Sequence, residues 1–291
     1  MVYVGSVKEL NLKRLLVVDG SNLLFQMFYG MPARIINKDG KAIQGTLGFV
    51  GALLKIIRMV KPSHVVVLFD GACAKERIEI NADYKANRID YSEVPEEENP
   101  FSQIDDVYRA LTFLGIRHAE TTICETDDWI AGYVLNKAED TEIVISSFDS
   151  DFFQLITEKV SVLRYRGEKT IICTPEYIRE KLGIEPVQYA DFKSLTGDAA
   201  DNIKGADKVG PKTAAALMNE FGNLENLLIN AEQIKKPSVR KSICLNAERL
   251  RDNYRIIKLS GEVELPFEMD ELLYVYEGIT TNEVLQGIGL R

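Results

Sequence analysis

The chain has little histidine, no closely spaced cysteines and no long apolar run. Its two histidines, His64 and His118, have no Cys, His or nucleophile at a telling spacing, so imidazole chemistry is not expected and each reads as a packing or surface residue. Cys73, Cys124, Cys173 and Cys244 lie far apart without a C-x-x-C pair, which excludes a zinc knuckle or a disulfide framework and suits a reducing compartment. No apolar stretch approaches the roughly 20 residues that cross a bilayer, and the opening MVYVGSVKELNLKR has no signal-peptide core; the expected location is cytoplasmic, without membrane contact. A basic excess is also missing. The net charge of -9 excludes a uniformly basic coat for nucleic acid, although a local basic groove is compatible with it.

What is present is a globular composition, 46% hydrophobic and 27% charged over 291 residues, enough for about two domains. Apolar, largely β-branched runs at 14–19, 64–70, 117–123 and 141–149 alternate with helical spacing at 45–59, 101–114 and 127–137. That alternation predicts an α/β domain with a parallel sheet flanked by helices. Two further strands, 160–166 and 169–174, are joined by a turn containing Gly167. Beyond about residue 175 the strand signal gives way to short helical patterns and a longer polar helix at 238–259. The expected domains are therefore 1–175 and a helical region, 176–291. Between them in character is the segment 71–100, charged and without sustained apolar periodicity. Such a length marks a functional or a mobile connection.

Carboxylates collect where the strands end. Asp19 and Asp70 close apolar runs, Asp149 closes a third, and Asp151 follows. ICETDDWIAGYV, from residue 123, adds Glu125, Asp127 and Asp128 directly before a helical segment. An exposed first helical turn tolerates acids, which gain about 0.3 to 1 kcal/mol each from the helix dipole. Two carboxylates about 5 Å apart repel by roughly 0.8 kcal/mol in water but roughly 3 kcal/mol at an effective dielectric near 20. Burial of that triad would demand a cation. Asp198 and Asp201 in LTGDAADN are three apart, on one face if the turn is helical. Since open parallel sheets bind ligands at the carboxyl ends of their strands, these nine acids can share one edge. They equal in number the net charge of -9. A carboxylate cluster without His or Cys selects a hard ion, Mg2+ or Mn2+ rather than zinc, and paired ions of that kind suit phosphodiester hydrolysis.

VDGSN (18–22), FDG (69–71), YKANR (84–88), ETDD (125–128), SFDSDFFQL (147–155), LTGDAADN (195–202) and VGPKTA (209–214) occur in the order found in bacterial and phage 5'-3' exonucleases. The chain resembles these flap endonucleases, which also form the N-terminal nuclease domain of bacterial DNA polymerase I, over residues 13–260, and it looks like a stand-alone form. The resemblance implies a PIN-like, Rossmann-type, mostly parallel sheet with a helical arch at about 71–100. It also implies a C-terminal helix-three-turn-helix (helix-hairpin-helix-like) element at about 187–222 that binds duplex backbone. Asp19, Asp70, Glu125, Asp127, Asp128, Asp149, Asp151, Asp198 and Asp201 each fall on a family metal-ligand position. Two or more Mg2+ ions, with Mn2+ as substitute, are the implied cofactors. Lys85 and Arg88 match arch residues that contact the scissile phosphate, and their spacing of three puts them on one face if the segment is helical. Tyr84 is a base-stacking candidate. Gly205, Lys208, Gly210, Lys212 and Thr213 are the implied duplex contacts, with Pro211 suited to a helix start whose free amides bind phosphate without reading bases.

Two positions depart from the family. Lys208 stands where the family has glycine; a side chain resists a left-handed backbone, which counts against the K+ site of this loop while offering a phosphate contact of its own. Gln26 stands where an arginine is common, so phosphate steering from that helix is weakened or borne elsewhere. The implied activity is metal-dependent 5'-3' exonuclease and flap endonuclease cleavage at single-strand/duplex junctions, on flapped DNA or RNA primer–DNA hybrids, in replication and repair. DNA polymerase and ligase would act on the same intermediates, and a monomer is expected. The alternatives are a PIN-type ribonuclease, which leaves the arch and the duplex anchor unexplained, and a non-cleaving DNA-junction binding protein.

Overall fold

The computed structural model describes residues 13–71, 75–122, 124–137 and 140–291. The chain begins with β1 (Lys13–Asp19), α1 (Gly20–Gly30), α2 (Gln44–Val60), β2 (His64–Phe69) and the short α3 (Lys75–Ile80). It continues through α4 (Ile104–Phe113), β3 (Arg117–Glu120), α5 (Thr126–Lys137), β4 (Thr141–Ser146), β5 (Val160–Arg164) and β6 (Ile171–Cys173). The strand order is β3-β2-β1-β4-β5-β6, parallel throughout except for β6, which runs antiparallel to β5. The direction of winding reverses between β1 and β4. An open α/β sheet has its ligand crevice at such a point, outside the carboxyl ends of the strands.

Successive side chains of a strand face opposite sides, and the core divides accordingly. Leu16, Val18, Val65, Val67 and Phe69 meet α1, α2 and α4 through Leu24, Phe49, Leu53 and Leu111. Leu15, Val17, Val66 and Leu68 face Trp129, Ile130 and Tyr133 of α5. These strand residues are 0–1% exposed, and each contributes about 1.5 to 3 kcal/mol on burial. Strands covered on both sides read as continuous apolar runs, which is why they are legible in the sequence.

The remainder is helical: α6 (Pro175–Leu182), α7 (Tyr189–Thr196), the two-residue strands β7 (Gly197–Asp198) and β8 (Ile203–Lys204), then α8 (Pro211–Phe221), α9 (Leu224–Ile229), α10 (Pro237–Leu245), α11 (Ala247–Ile257) and α12 (Thr281–Gly287). The chain then returns to the sheet domain. Leu273 forms an isolated antiparallel bridge with His64, and Val284, Leu285, Ile288 and Leu290 complete a cluster with Ile43, Val50, Leu54 and Ala110.

Several expectations need correction. β3 stops at Glu120 and β4 at Ser146, so Asp149 lies in the turn beyond its strand. The helix expected at 238–259 is two helices, because Asn246 turns its side-chain amide onto Ser242 O at 2.7 Å and breaks the run. Asp198 and Asp201 do not share a helical turn; they sit on the β7–β8 hairpin, with Asp198 opposite Ile203. Lys85 and Arg88 lie in consecutive turns, Lys85 at φ +55°, and not on a helical face. Among the described residues of 71–100, α-helix is confined to α3.

Candidate metal centre

Hydroxyl and amide side chains hold the first acids in place. Asp19 caps α1 by accepting from Asn22 N at 3.0 Å and receives the Ser147 hydroxyl at 2.7 Å. The same hydroxyl accepts from Asp149 N at 3.0 Å, and Asn22 Oδ1 accepts from Phe148 N at 3.1 Å. VDGSN and SFDSD are thus joined across the β1/β4 reversal. Asp70 N donates to Ser21 Oγ at 2.9 Å, and its carboxylate accepts from Thr126 N at 3.1 Å, the first residue of α5. Asp127 follows one residue later.

Asp19, Asp70, Glu125, Asp127 and Asp149 line one cleft of about 670 Å³ together with Lys85 and Arg88. Phe25, Tyr91 and Phe101 also line it. Phe25 meets Tyr91 and Phe101 edge to face, with ring centroids 5.1 Å apart in both pairs. Burial, and then the neighbouring Asp70, push the Asp19 carboxyl up to about 7. Asp127 keeps some contact with solvent through the cleft, yet burial followed by Asp149 and Asp70 holds it well above the usual carboxylate range. Among the described residues, Asp19, Asp70, Asp127 and Asp149 form no ion pair. Buried Asp19, half-buried Asp127 and Asp149 and exposed Asp70 thus share one cleft without a protein cation, and a donor set of oxygen alone suits a hard divalent ion.

The other acids carry protein cations. Glu125 and Asp128 share Arg77: one guanidinium nitrogen pairs with Glu125, another lies 2.9 Å from Asp128 Oδ1, and Nε donates to Ile256 O at 3.0 Å. Lys85 Nζ reaches Glu125 Oε1 at 2.6 Å and Tyr84 Oη donates to Glu125 Oε2 at 3.2 Å. Burial raises the Glu125 carboxyl, but Arg77 and Lys85 outweigh it and hold the group below its ordinary value. At Asp128 burial wins over Arg77 and the carboxyl is raised.

Asp151, Asp198 and Asp201 form a second group, with one carboxylate oxygen from each within 4.8 Å of the others. Buried Lys193 stands between two of them, 2.6 Å from Asp151 and 2.5 Å from Asp198, while Arg88 lies 2.7 Å from Asp201. Burial and Asp149 push Asp151 up to about 6 against the pull of Lys193. Asp198 is half-buried, and there Lys193 prevails and lowers the carboxyl.

Arg77 and Lys193 were not legible as site residues. Arg77 has no local periodicity to mark it, and the one hint for Lys193 is a lysine inside the apolar α7 pattern YADFKSL. Tyr84, the base-stacking candidate, is not exposed. It is 6% exposed and packs with Ala190, Ile203, Ile256 and Ile257, so its ring has no free face.

The expected duplex contacts separate by geometry. A Cβ on Gly205 would lie 2.4 Å from Leu195 O, so this glycine is required by backbone packing. Gly210 has no heavy atom within 4 Å of such a Cβ. It is exposed, as is Lys212, and it caps α8 ahead of Pro211; Thr213 is half-buried and bonds back to Gly210 O at 2.9 Å. Lys208 takes the left-handed conformation after all, at φ +65°, with its side chain exposed. Gln26 donates to Tyr165 O at 2.5 Å.

Residues 14–183 match the family model described as 5'-3' exonuclease, N-terminal resolvase-like domain, and 184–278 that described as 5'-3' exonuclease, C-terminal SAM fold. Thermostable DNA polymerase I of Thermus filiformis is 36% identical over 260 residues, and DNA polymerase I of Rhizobium leguminosarum 35% over 268. Each match takes in 89% of this chain but only 30% and 26% of the relative, respectively. Among solved structures, zinc-bound T5 5'-exonuclease superposes with a TM-score of 0.70 at 22% identity, covering 84% of this chain and 89% of that one. The catalytic core of Rad2 with DNA substrate gives 0.60 at 20% identity, covering 95% and 86%. With the two family models matched in succession over residues 14–183 and 184–278, and with the sheet gathering carboxylates at its winding reversal, the chain belongs to the 5'-3' exonuclease family.

Proposed function

We propose that the chain is a divalent-cation-dependent 5' nuclease, with 5'-3' exonuclease and flap endonuclease activity, that hydrolyses DNA phosphodiesters at single-strand/duplex junctions. The observation that carries this reading is the set of four carboxylates, Asp19, Asp70, Asp127 and Asp149, with no protein cation of their own, in a cleft shared with Lys85 and Arg88. Mg2+ is the expected ion and Mn2+ its substitute, since the donors are all oxygen. Bound divalent ions would supply an activated water and neutralise the leaving oxygen.

The chain's own residues do the rest. Asp19, Asp70, Glu125, Asp127, Asp128, Asp149, Asp151, Asp198 and Asp201 are the residues that would hold the ions. Lys85 and Arg88 donate to the non-bridging oxygens of the phosphate. Phe25, Tyr91 and Phe101 offer ring faces to unpaired bases. Exposed Lys212 and the open amide edge at Gly210 suit a duplex phosphate at the N-terminus of α8. Contacts of these kinds read structure and not sequence. Residues 1–175 would carry most of the chemistry, and 176–291 would add Asp198 and Asp201 together with the duplex anchor. A cytoplasmic monomer that removes primers and displaced flaps, on intermediates shared with polymerase and ligase, accords with this reading.

The test is cleavage of a 5'-labelled flap duplex beside matched single-stranded DNA and RNA, in EDTA, Mg2+ and Mn2+. Metal-dependent cuts at the junction are expected, and the double variant Asp127→Asn, Asp128→Asn should bind the flap without cutting it. Equal cutting of unstructured RNA would overturn the reading in favour of a ribonuclease. Junction binding without cleavage in any metal would overturn it in favour of a binding protein.

A further inference from the structure

The hairpin between β5 and β6 brings a cation to the acidic edge that the site as described does not use. Arg164 ends β5, donates from Nη2 to Phe148 O at 2.6 Å, and lies 4.8 Å from the Phe153 ring centroid. Two residues on, the guanidinium of Arg166 lies 4.9 Å from the centroid of Phe148. Phe148 directly precedes Asp149, and its amide is tied to Asn22 of α1. Arg166 is thereby held beside the acidic cleft by a ring that belongs to the cleft's own turn.

Arg166 is exposed, and among the described residues it forms no ion pair. The neighbouring charges are exposed Glu168 and exposed Lys169, so the hairpin tip is net positive. From the other side the neutral amide of Gln26 donates to the carbonyl of Tyr165, the residue before Arg166. A guanidinium lying over an aromatic ring keeps N–H groups for an anion, and its planar fork suits a phosphate.

We propose that Arg166 is a phosphate-binding residue that grips the nucleic-acid backbone where it leaves the acidic cleft on the β4–β5 side. It supplies a positive charge to an edge where α1 presents only Gln26. The proposal rests on the nuclease reading and places one further contact on the same strand.

The experiment is anisotropy titration of a labelled 5'-flap duplex in EDTA across a salt series, with wild type, Arg166→Ala, Arg166→Lys and the double variant Arg166→Ala, Gln26→Arg. The expected result is several-fold weaker binding by Arg166→Ala at moderate salt, with the slope of log affinity against log salt shallower by about 0.7 to 0.9, the loss of one phosphate contact. Arg166→Lys should keep most of the slope, and the Gln26→Arg partner should restore it. An Arg166→Ala protein with wild-type affinity, or with weaker binding at unchanged slope, would overturn the proposal. Wild-type binding and cutting of the same flap report separately on the nuclease reading, so the two ideas fail in different lanes.

Discussion

Lys193 Nζ lies 2.6 Å from Asp151 Oδ1, across 42 residues of sequence, with both side chains about nine-tenths buried. This ammonium also holds Asp198 and is raised above its ordinary range: burial works against the charge, and Asp151, Tyr189 and Asp198 together outweigh it. Removing one partner of a buried pair leaves an uncompensated charge and costs about 3 to 5 kcal/mol. Lys193→Met is therefore expected to melt well below wild type in EDTA. Added Mg2+ should raise its melting temperature by more than it raises that of wild type, because a divalent ion can take over the orphaned carboxylates. Equal shifts in the two proteins would count against a shared cation role.

The raised Asp19 carboxyl has a consequence for stability against pH. Its folded value, about 7, lies above its ordinary 3.8, so the folded protein holds this proton more tightly than the unfolded chain. Stability from this group is full below about pH 4, declines as pH rises, and is lost above about 7. Asp19→Asn keeps the helix cap, since asparagine caps as well as aspartate, and removes the titration. In EDTA the variant should outlast wild type by several degrees at pH 8, with the gap closing toward pH 4. Thermal melts across that range check it; a gap independent of pH would overturn it.

Arg77 joins Glu125, Asp128 and Ile256 O, and so ties α3 to α5 and α11. Arg77→Lys keeps the charge but loses the fork that spans two carboxylates. The expected outcome is a folded protein whose flap cleavage falls at least tenfold while flap binding in EDTA changes little. Arg77→Ala should in addition lose about 3 kcal/mol of stability. Cleavage rates with saturating substrate, beside urea melts, separate the two effects.

Gly210 and Gly205 should respond in opposite ways. Gly210 has ordinary extended backbone at φ -89° and open space around it, so Gly210→Val is expected to fold normally and bind duplex more weakly, its side chain blocking close approach of a phosphate. Gly205→Ala meets Leu195 O and the backbone of Gly197 and is expected to lower stability with binding lost only as the fold is lost. Circular dichroism melts and duplex titrations on both variants provide the check.

The sheet and the strand-end carboxylates were legible because both rest on local pattern. Residues such as Leu15 to Val18 are buried on two faces and therefore apolar without interruption, and an aspartate at such an end faces the crevice. Pairings across 42 or 48 residues, as for Lys193 with Asp151 or Arg77 with Glu125, leave no trace in periodicity. Tyr84 illustrates the converse error. Nothing in YKANR marks it as buried, whereas Ile256 and Ile257, far along the chain, enclose it. The YKANR stretch looked helical from spacing alone, but its turns are set by contacts with the β7–β8 hairpin, including Lys85 N to Asp201 O at 3.1 Å.

The return of α12 to α2 and α4 puts a clock on the protein. Val50 and Leu54 emerge from the ribosome early, and the residues that cover them, Val284, Leu285 and Ile288, follow about 230 residues later. At synthesis rates of about 5 to 20 residues per second, that interval is roughly 10 to 50 s. Throughout it a finished apolar surface waits uncovered, a natural handhold for chaperones and a window in which a stalled chain is open to aggregation.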